Sequence, residues 1–421
     1  MTQDGERAVV EGDSEDRISY LPRNVLDRIL ELIPLQDAAR TSILSKNWRY
    51  IWATLPNLVL DYRLCRTLIL ESESNFKEAV DDILLLHMGD IMKFVLDTSG
   101  ARLSSYAVID RWVLYVTRNG VKKLTLQVSN FDTYTLPSSI FNCSTLTKLT
   151  LFKCVFKPPN SFLGFQNLIT LYLQWTTFLP TTTTSFCVIK APRLAKLTLN
   201  SCHGTQYLNI VSPGLKSLYV RDNHYYLFLN CFINCKNLRV FELELDDMVN
   251  NPKHDEKSTP EKLLVNLPAL EVLHLDSFFV ELLSAQVPNG LSFTLNCLWH
   301  LSLGVDFGKM GQIFYALQLI KSSPNLSKLD IWVDFTSNNA EAVSKNLNTL
   351  ACLERPLDKL KYVDINGFES SEAEMLFVKL LLSRTPSLLT MCIDQYTDID
   401  IDIALELKRF HRASPRAKLF Y

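Results

Sequence analysis

The sequence predicts an α/β solenoid, a horseshoe of parallel strands stacked one per repeat around a single long core. Three observations lead there. A motif of the form Leu-x-x-Leu-x-Leu, with occasional Val, Ile, Phe or Met, recurs about twelve times at spacings of about 21 to 34 residues. Leucine supplies about a sixth of the 421 residues while glycine supplies only 13, which excludes collagen-like and glycine-rich β-helical designs. Proline stands two residues before the first leucine at Pro192, Pro213, Pro268, Pro324 and Pro386. Lacking an N–H, proline suits the position just before a strand begins.

The elements follow in chain order. Residues 1–15 are polar and acidic and read as a disordered tail. Residues 16–61 do not fit the repeat. Val25, Leu26, Ile29, Leu30, Leu32 and Ile33 have helical spacing, and Pro34 stops that helix. A short helix through Asp37 to Leu44 follows, and Ser45 is a good cap for a third helix carrying Trp48, Ile51 and Trp52. Three short helices bury little surface alone, yet their apolar residues lie on more than one face. The excess has to be covered by the solenoid, by another chain, or by both.

The repeats run from Ile91-Phe94-Leu96 to Leu388-Met391-Ile393, in the period range of leucine-rich repeats. No repeat buries its apolar face alone, but a stack shares one core. The first two connections are helical, Asn75–His87 and Tyr106–Val116, and later ones look shorter and less regular. Thr181–Thr184 and Asp246–Lys262 read as exposed excursions. After the last repeat, Ile403, Leu407 and Phe410 have helical spacing, Pro415 breaks the pattern, and Ala417–Tyr421 is strand-like. This end is expected to cap the sheet edge.

Composition narrows the function. A net charge of −2, with 47% hydrophobic and 21% charged residues, describes a globular protein with no electrostatic reason to bind nucleic acid or an anionic membrane. There is no secretory signal and no apolar run of about 18 residues, so a cytoplasmic or nuclear protein is expected. The ten cysteines are then reduced apolar fillers, and the sequons at Asn142 and Asn325 are silent.

Catalytic patterns fail on inspection, and neither cofactor nor metal is expected. Gly304-x-x-x-Gly308-Lys309-Met310 is one residue short of a phosphate loop and lacks its Ser/Thr. Asp398-x-Asp400-x-Asp402 has Ile403 where a calcium loop needs glycine. Cys231-x-x-x-Cys235 with His224 lacks two further ligands.

Binding is better supported. Alternation along each strand places the residues flanking the inner leucines on the open, concave face. That column includes Lys148, Tyr172, Lys196, Tyr219 and Arg221, then Glu242, Glu244, His274, Asp276, Asp330, Trp332, Asp364 and Asp394. Its first half is basic with aromatics and its second half acidic. A dipolar groove of this kind selects a protein partner by charge.

At both ends the residues become specific. Asp16-Arg17-Ile18-Ser19-Tyr20-Leu21-Pro22, Val25-Leu26-x-x-Ile29-Leu30 and Asp37 to Trp52, including Ile43-Leu44-Ser45-Lys46-x-Trp48, closely resemble an F-box of the large plant families. Leu360 to Phe368, Leu380-Leu381-Leu382 and Phe410 to Phe420 resemble the FBD module at the C-terminus of many plant F-box/LRR proteins. Pro34-Leu35-Gln36 departs from the usual Thr or Met before Lys-Asp. The resemblance implies an F-box at 16–61, a leucine-rich-repeat solenoid at 62–355 and an FBD at 356–421. It also implies a non-catalytic substrate receptor of an SCF-type ubiquitin ligase. Such a receptor binds a Skp-type adaptor, through it cullin and RING subunits, and a target protein on its repeats. Leu21, Pro22, Leu26, Ile29, Leu30, Ile43 and Trp48 then include the adaptor-facing residues, some of which must instead hold the helices together. The alternative is a scaffold that binds partners without recruiting a cullin.

Overall fold

The structure is a computed structural model. It describes residues 21–44, 48, 51–100, 103–128, 133–180, 186–221, 235–244, 264–286, 291, 293–334, 355–395 and 400–421. The expected tail at 1–15, Ser45, the excursions Thr181–Thr184 and Asp246–Lys262, and Cys231, His224 and Asp398 lie outside the described residues. The chain divides into two compact units, residues 1–130 and 131–421.

The first unit opens with helices α1 (Arg23–Glu31) and α2 (Leu35–Arg40) and a short 3-10 turn at Thr41–Ile43. Proline precedes both helices, where its missing N–H costs nothing. A second 3-10 turn, Trp52–Thr54, stands inside the expected third helix. Strand β1 (Asn57–Leu60) follows, then helices α3 (Tyr62–Glu71) and α4 (Glu73–Leu86), each capped by a side chain, Asp61 and Ser72. Strand β2 (Lys93–Asp97), helix α5 (Ala107–Arg118) and strand β3 (Lys123–Gln127) complete the unit. β1 pairs with β2 and β2 with β3, all parallel. β1 carries an unexpected copy of the repeat, Leu55-x-x-Leu58-x-Leu60, with all three leucines buried.

The second unit continues the design with β5 (Lys148–Phe152), after the short strand β4 (Tyr134–Thr135) and helix α6 (Ser138–Phe141). The ladder runs on through β7 (Thr170–Gln174), β10 (Lys196–Asn200), β12 (Ser217–Arg221), β13 (Val240–Leu243) and β14 (Val272–Leu275). β15 (His300–Val305), β16 (Lys328–Val333), β17 (Tyr362–Asn366), β18 (Thr390–Asp394) and β19 (Lys418–Phe420) complete it. Each strand pairs in parallel with the next, and the register sets equivalent motif positions side by side, as in Leu171–Leu197–Leu218–Phe241. Two minor ladders flank it: β4 with β6 (Cys154–Phe156) and β8 (Thr177–Phe178), and β9 (Cys187–Lys190) with β11 (Leu208–Val211). Every apolar position of the twelve motifs is at most 3% exposed.

Three neighbouring strand ends, Lys153, Trp175 and Ser201, share a left-handed backbone (φ 52, 51 and 48). Each donates its N–H to a carbonyl one strand on, at Gln174, Asn200 and Arg221, so the strained turn repeats with the ladder.

Short, irregular connections follow β5 to β12 among the described residues, as expected, but after β14 that expectation is overturned. Helices α7 (Ser277–Gln286), α8 (Met310–Lys321) and α9 (Glu372–Arg384) fill that half. In α8, Gln312, Ile313, Tyr315, Ala316, Leu317, Leu319 and Ile320 are all buried, so no polar stripe marks a helical period. Most described cysteines are fillers as expected: Cys65, Cys154, Cys187 and Cys202 are buried free thiols, and burial pushes each up to about 12, whereas Cys297 is exposed and Cys392 half-buried.

The terminal segment pairs as expected, with β19 against β18 at Thr390–Lys418 and Met391–Leu419. The preceding helix α10 (Ile401–Arg409) buries fully only Leu407, and Ile401 and Leu405 stay exposed. The strand and its anchors make this cap, more than the helix does. Ser414 Oγ donates to the Leu388 carbonyl (2.7 Å) and Ala413 N–H to that of Leu382 (2.9 Å).

Candidate functional site

Two surfaces stand out, one in each unit. In the first, α1 and α2 divide their apolar residues. Leu26, Leu30, Leu35 and Ala38 are buried with Trp48, Ile51 and Trp52. The guanidinium of Arg23 ties α1 to the second turn through the Ile51 carbonyl (3.3 Å) and the Thr54 hydroxyl. The remaining apolar side chains point outward: Leu32 is 86% exposed, Ile43 84% and Leu44 67%, with Val25, Ile29 and Ile33 also exposed. Leu21 is half-buried and Pro22 exposed. Of the candidate residues, therefore, Ile29, Ile43 and Pro22 are accessible, whereas Leu26, Leu30 and Trp48 are held inside. Leu32 and Leu44, outside that set, are among the most exposed. Helical spacing alone could not separate two apolar faces of one element.

In the second unit the alternating residues form an open face. Lys148 and Lys196 are exposed, and Tyr172 and Tyr219 half-buried. The rings of Phe152 and Tyr172 lie 5.6 Å apart and tilted at 44°, Tyr172 Oη donates to Gln174 Oε1 (2.9 Å), and Lys196 Nζ sits 4.6 Å over the Tyr219 ring. This is a basic, aromatic stretch, as expected.

The acidic stretch is more internally paired than the sequence suggests. Arg221 Nε donates to Glu242 (2.6 Å) and lies 3.8 Å from Glu244. His274 sits between Ser302 Oγ, 2.7 Å from Nδ1, and Glu244, 3.2 Å from Nε2. Burial, with Arg221 nearby, pushes the His274 imidazole below its ordinary value despite Glu242 and Asp330. Asp330 lies 2.6 Å from His300 Nε2 and 3.2 Å from Lys328, which also lies 3.6 Å from Asp364. Burial alone would raise the Asp330 carboxyl, but hydrogen bonds from His300 and Lys328 and their charge hold it below the usual carboxylate range.

Negative charge therefore concentrates where Glu244, Asp276 and Asp334 line a cleft of about 310 Å³ beside Trp332. Sequence reading missed Asp334 and the role of Gly304. The one available signal was a glycine in a column otherwise filled by side chains.

Among the described residues no group of His, Cys, Asp or Glu is placed to hold a metal ion. No described helix is long and apolar enough to cross a membrane. Gly304 serves packing rather than phosphate binding: a Cβ there would lie 2.5 Å from the Ser277 nitrogen at the start of α7.

The outward apolar set lies within residues 18–60, which match the F-box domain model, and residues 109–331 match the LRR repeats of FBD-associated F-box protein At5g56370. The F-box/FBD/LRR-repeat protein At1g13570 of Arabidopsis thaliana is 31% identical over 97% of this chain and 99% of its own length. This chain belongs to the F-box/FBD/LRR-repeat family. Another Arabidopsis member, At3g26920, is 26% identical over 97% of this chain and 96% of its own. The FBD-associated F-box protein At5g56370 is 36% identical over 39% of this chain and 38% of its own. As an F-box/FBD/LRR-repeat protein, the chain combines an N-terminal F-box with a parallel-sheet repeat region.

Proposed function

We propose that this F-box/FBD/LRR-repeat protein is the substrate-recognition subunit of an SCF-type cullin–RING ubiquitin ligase, acting in the cytoplasm or nucleus and performing no catalysis itself. The observation that carries the reading is the outward apolar set of α1, the residues that follow it and the 3-10 turn after α2, inside an F-box match. Leu32, Ile43 and Leu44 on so short an element are costly to leave in water and suit an apolar partner surface. On this reading Val25, Ile29, Leu32, Ile33, Ile43, Leu44 and Pro22 dock a Skp-type adaptor, which links cullin and RING subunits. Leu26, Leu30 and Trp48 act indirectly by fixing the helices. The open face of the second unit holds a target protein, with Lys148, Tyr172, Lys196, Tyr219, Arg221, Glu242, His274, Asp330 and Trp332 available along it. The 356–421 segment closes the repeat stack as an FBD cap.

The test is a binding titration of a purified Skp-type adaptor against the full chain and against Leu32→Asp/Ile43→Asp. The reading expects the substitution to weaken binding at least about a hundredfold, as for a pair of interface hot spots, while the melting temperature holds. Equal affinity for both proteins would remove the F-box surface from the account.

A further inference from the structure

The net charge of −2 conceals an uneven distribution. From Thr133 to Arg221 the chain has eight Lys and Arg residues and not one Asp or Glu. That stretch carries a formal +8, and the remaining residues −10. It supplies four consecutive strands of the main ladder, β5, β7, β10 and β12.

Register turns this bias into a surface. Lys148, Thr170, Lys196 and Ser217 stand side by side in one row of the open face, with Tyr172 and Tyr219 in the next row. The two lysines lie on alternate strands, about 10 Å apart at a strand spacing of about 4.8 Å. Lys148, Lys153 and Lys196 are exposed and form no ion pair among the described residues. Two of them are held by rings instead. Lys196 Nζ lies 4.6 Å over Tyr219, and Lys153 Nζ lies 5.4 Å over Trp175, itself 43% exposed. Lys153 and Trp175 both sit in the left-handed turns that end their strands (φ 52 and 51), a backbone that side chains of this size adopt at a cost. A ring positions an ammonium without cancelling its charge. These cations are ordered and uncompensated, unlike Arg221 at the border, which is held by Glu242 and Glu244.

The extent of the patch limits what it holds. From β5 to β12 is three strand steps, about 14 Å, the length of about four residues of extended chain. From β13 onward the open face presents Glu242, Glu244 and Asp276. These carboxylates repel a long polyanion that runs on along the groove, such as a nucleic acid strand, but not a short acidic run within a protein.

We propose that the open face from β5 to β12 receives a short acidic run in an extended segment of the target protein. Its carboxylates meet Lys148 and Lys196, and the chain between them lies against Tyr172 and Tyr219. The proposal rests on the reading of the open face as the target-binding surface and names the chemistry that this face selects.

The experiment titrates the full-length protein into fluorescein-labelled hexaglutamate at low salt and reads the anisotropy. Labelled hexaglutamine, of the same shape without the charge, and a labelled six-nucleotide oligothymidylate are the comparison probes. The expected result is saturable binding of hexaglutamate, at least about tenfold weaker with hexaglutamine and with the Lys148→Glu/Lys196→Glu protein. Lys321→Glu/Lys361→Glu makes the same charge change at exposed positions elsewhere and should leave affinity within about twofold. Both variants should melt like the wild type. No saturable binding of hexaglutamate, equal binding of hexaglutamine, or an equal loss in the two variants overturns the proposal. Tighter binding of the oligothymidylate overturns it in favour of a nucleic acid. The two readings fail separately. A chain that binds a Skp-type adaptor but not hexaglutamate loses this proposal and keeps the receptor reading. A chain that binds hexaglutamate at this face but no adaptor loses the receptor reading and keeps the acid-binding face.

Discussion

Leu30 and Leu32 lie two residues apart in the same segment and have opposite fates, 1% and 86% exposed. Leu30→Ala should cost about 2–5 kcal/mol of stability, the usual range for a buried leucine truncated to a cavity, read as a shift in chemical denaturation. Leu32→Ala should change stability by no more than about 0.5 kcal/mol and act on binding. Glu374 gives a pH signature. It is 1% exposed at the start of α9; its Oε2 accepts from Glu369 N–H at 2.8 Å and its Oε1 has no partner among the described residues. Burial raises its pKa, against the pull of the Glu369 and Ser371 hydrogen bonds. A carboxyl with a raised folded value contributes stability that is full below its unfolded value, about 4.3, and is lost as pH rises through the folded value. The melting temperature of the wild type relative to Glu374→Gln should therefore fall from pH 4 to pH 8. A constant difference across that range would show that Glu374 ionises in the fold as freely as in the unfolded chain.

The strands were legible because each motif position is buried whatever its neighbours are; Leu197 and Leu301 need only a parallel strand on either side. The helices α8 and α9 were not, since polarity does not follow their period: α8 buries Gln312 and leaves Phe314 partly exposed, and α9 buries Glu374 and leaves Leu376 and Leu380 partly exposed. The extra strand β1 was hidden inside a segment read as helical. The cleft was the least legible feature. Its walls come from Glu244, Asp276, Gly304 and Trp332, residues about thirty apart that only the strand register brings together. At this scale the terminal strand makes the sharpest prediction. Deleting residues 412–421 removes the β18–β19 pairing and the anchors from Ala413 and Ser414, leaving β18 as a bare edge. The truncated protein should melt at least about 2 °C lower or form soluble aggregates. A monomer that melts unchanged but loses its target would make the tail a recognition element.

At the scale of the whole molecule the proposed tasks fall on separate stretches of the chain. Residues 18–60 carry an outward apolar face, residues 109–331 belong to the repeat region, and the open face carries mixed charges whose acids gather around one cleft. Charge reversal should therefore act unevenly. Glu244→Lys with Asp334→Lys should change which proteins bind, whereas reversing Asp364, already beside Lys328, should change little. An unchanged set of bound proteins after the first substitution would take specificity away from the cleft. The central claim is that the outward apolar face carried by residues 25–44 recruits a ligase. It is tested most directly by mixing the purified full-length chain with a Skp-type adaptor, cullin and RING subunits and determining the mass of the species formed. The account predicts one stoichiometric assembly containing all four, lost in Leu32→Asp/Ile43→Asp while that variant still melts like the wild type. A folded chain that remains alone, or an assembly that the double substitution leaves intact, would contradict it.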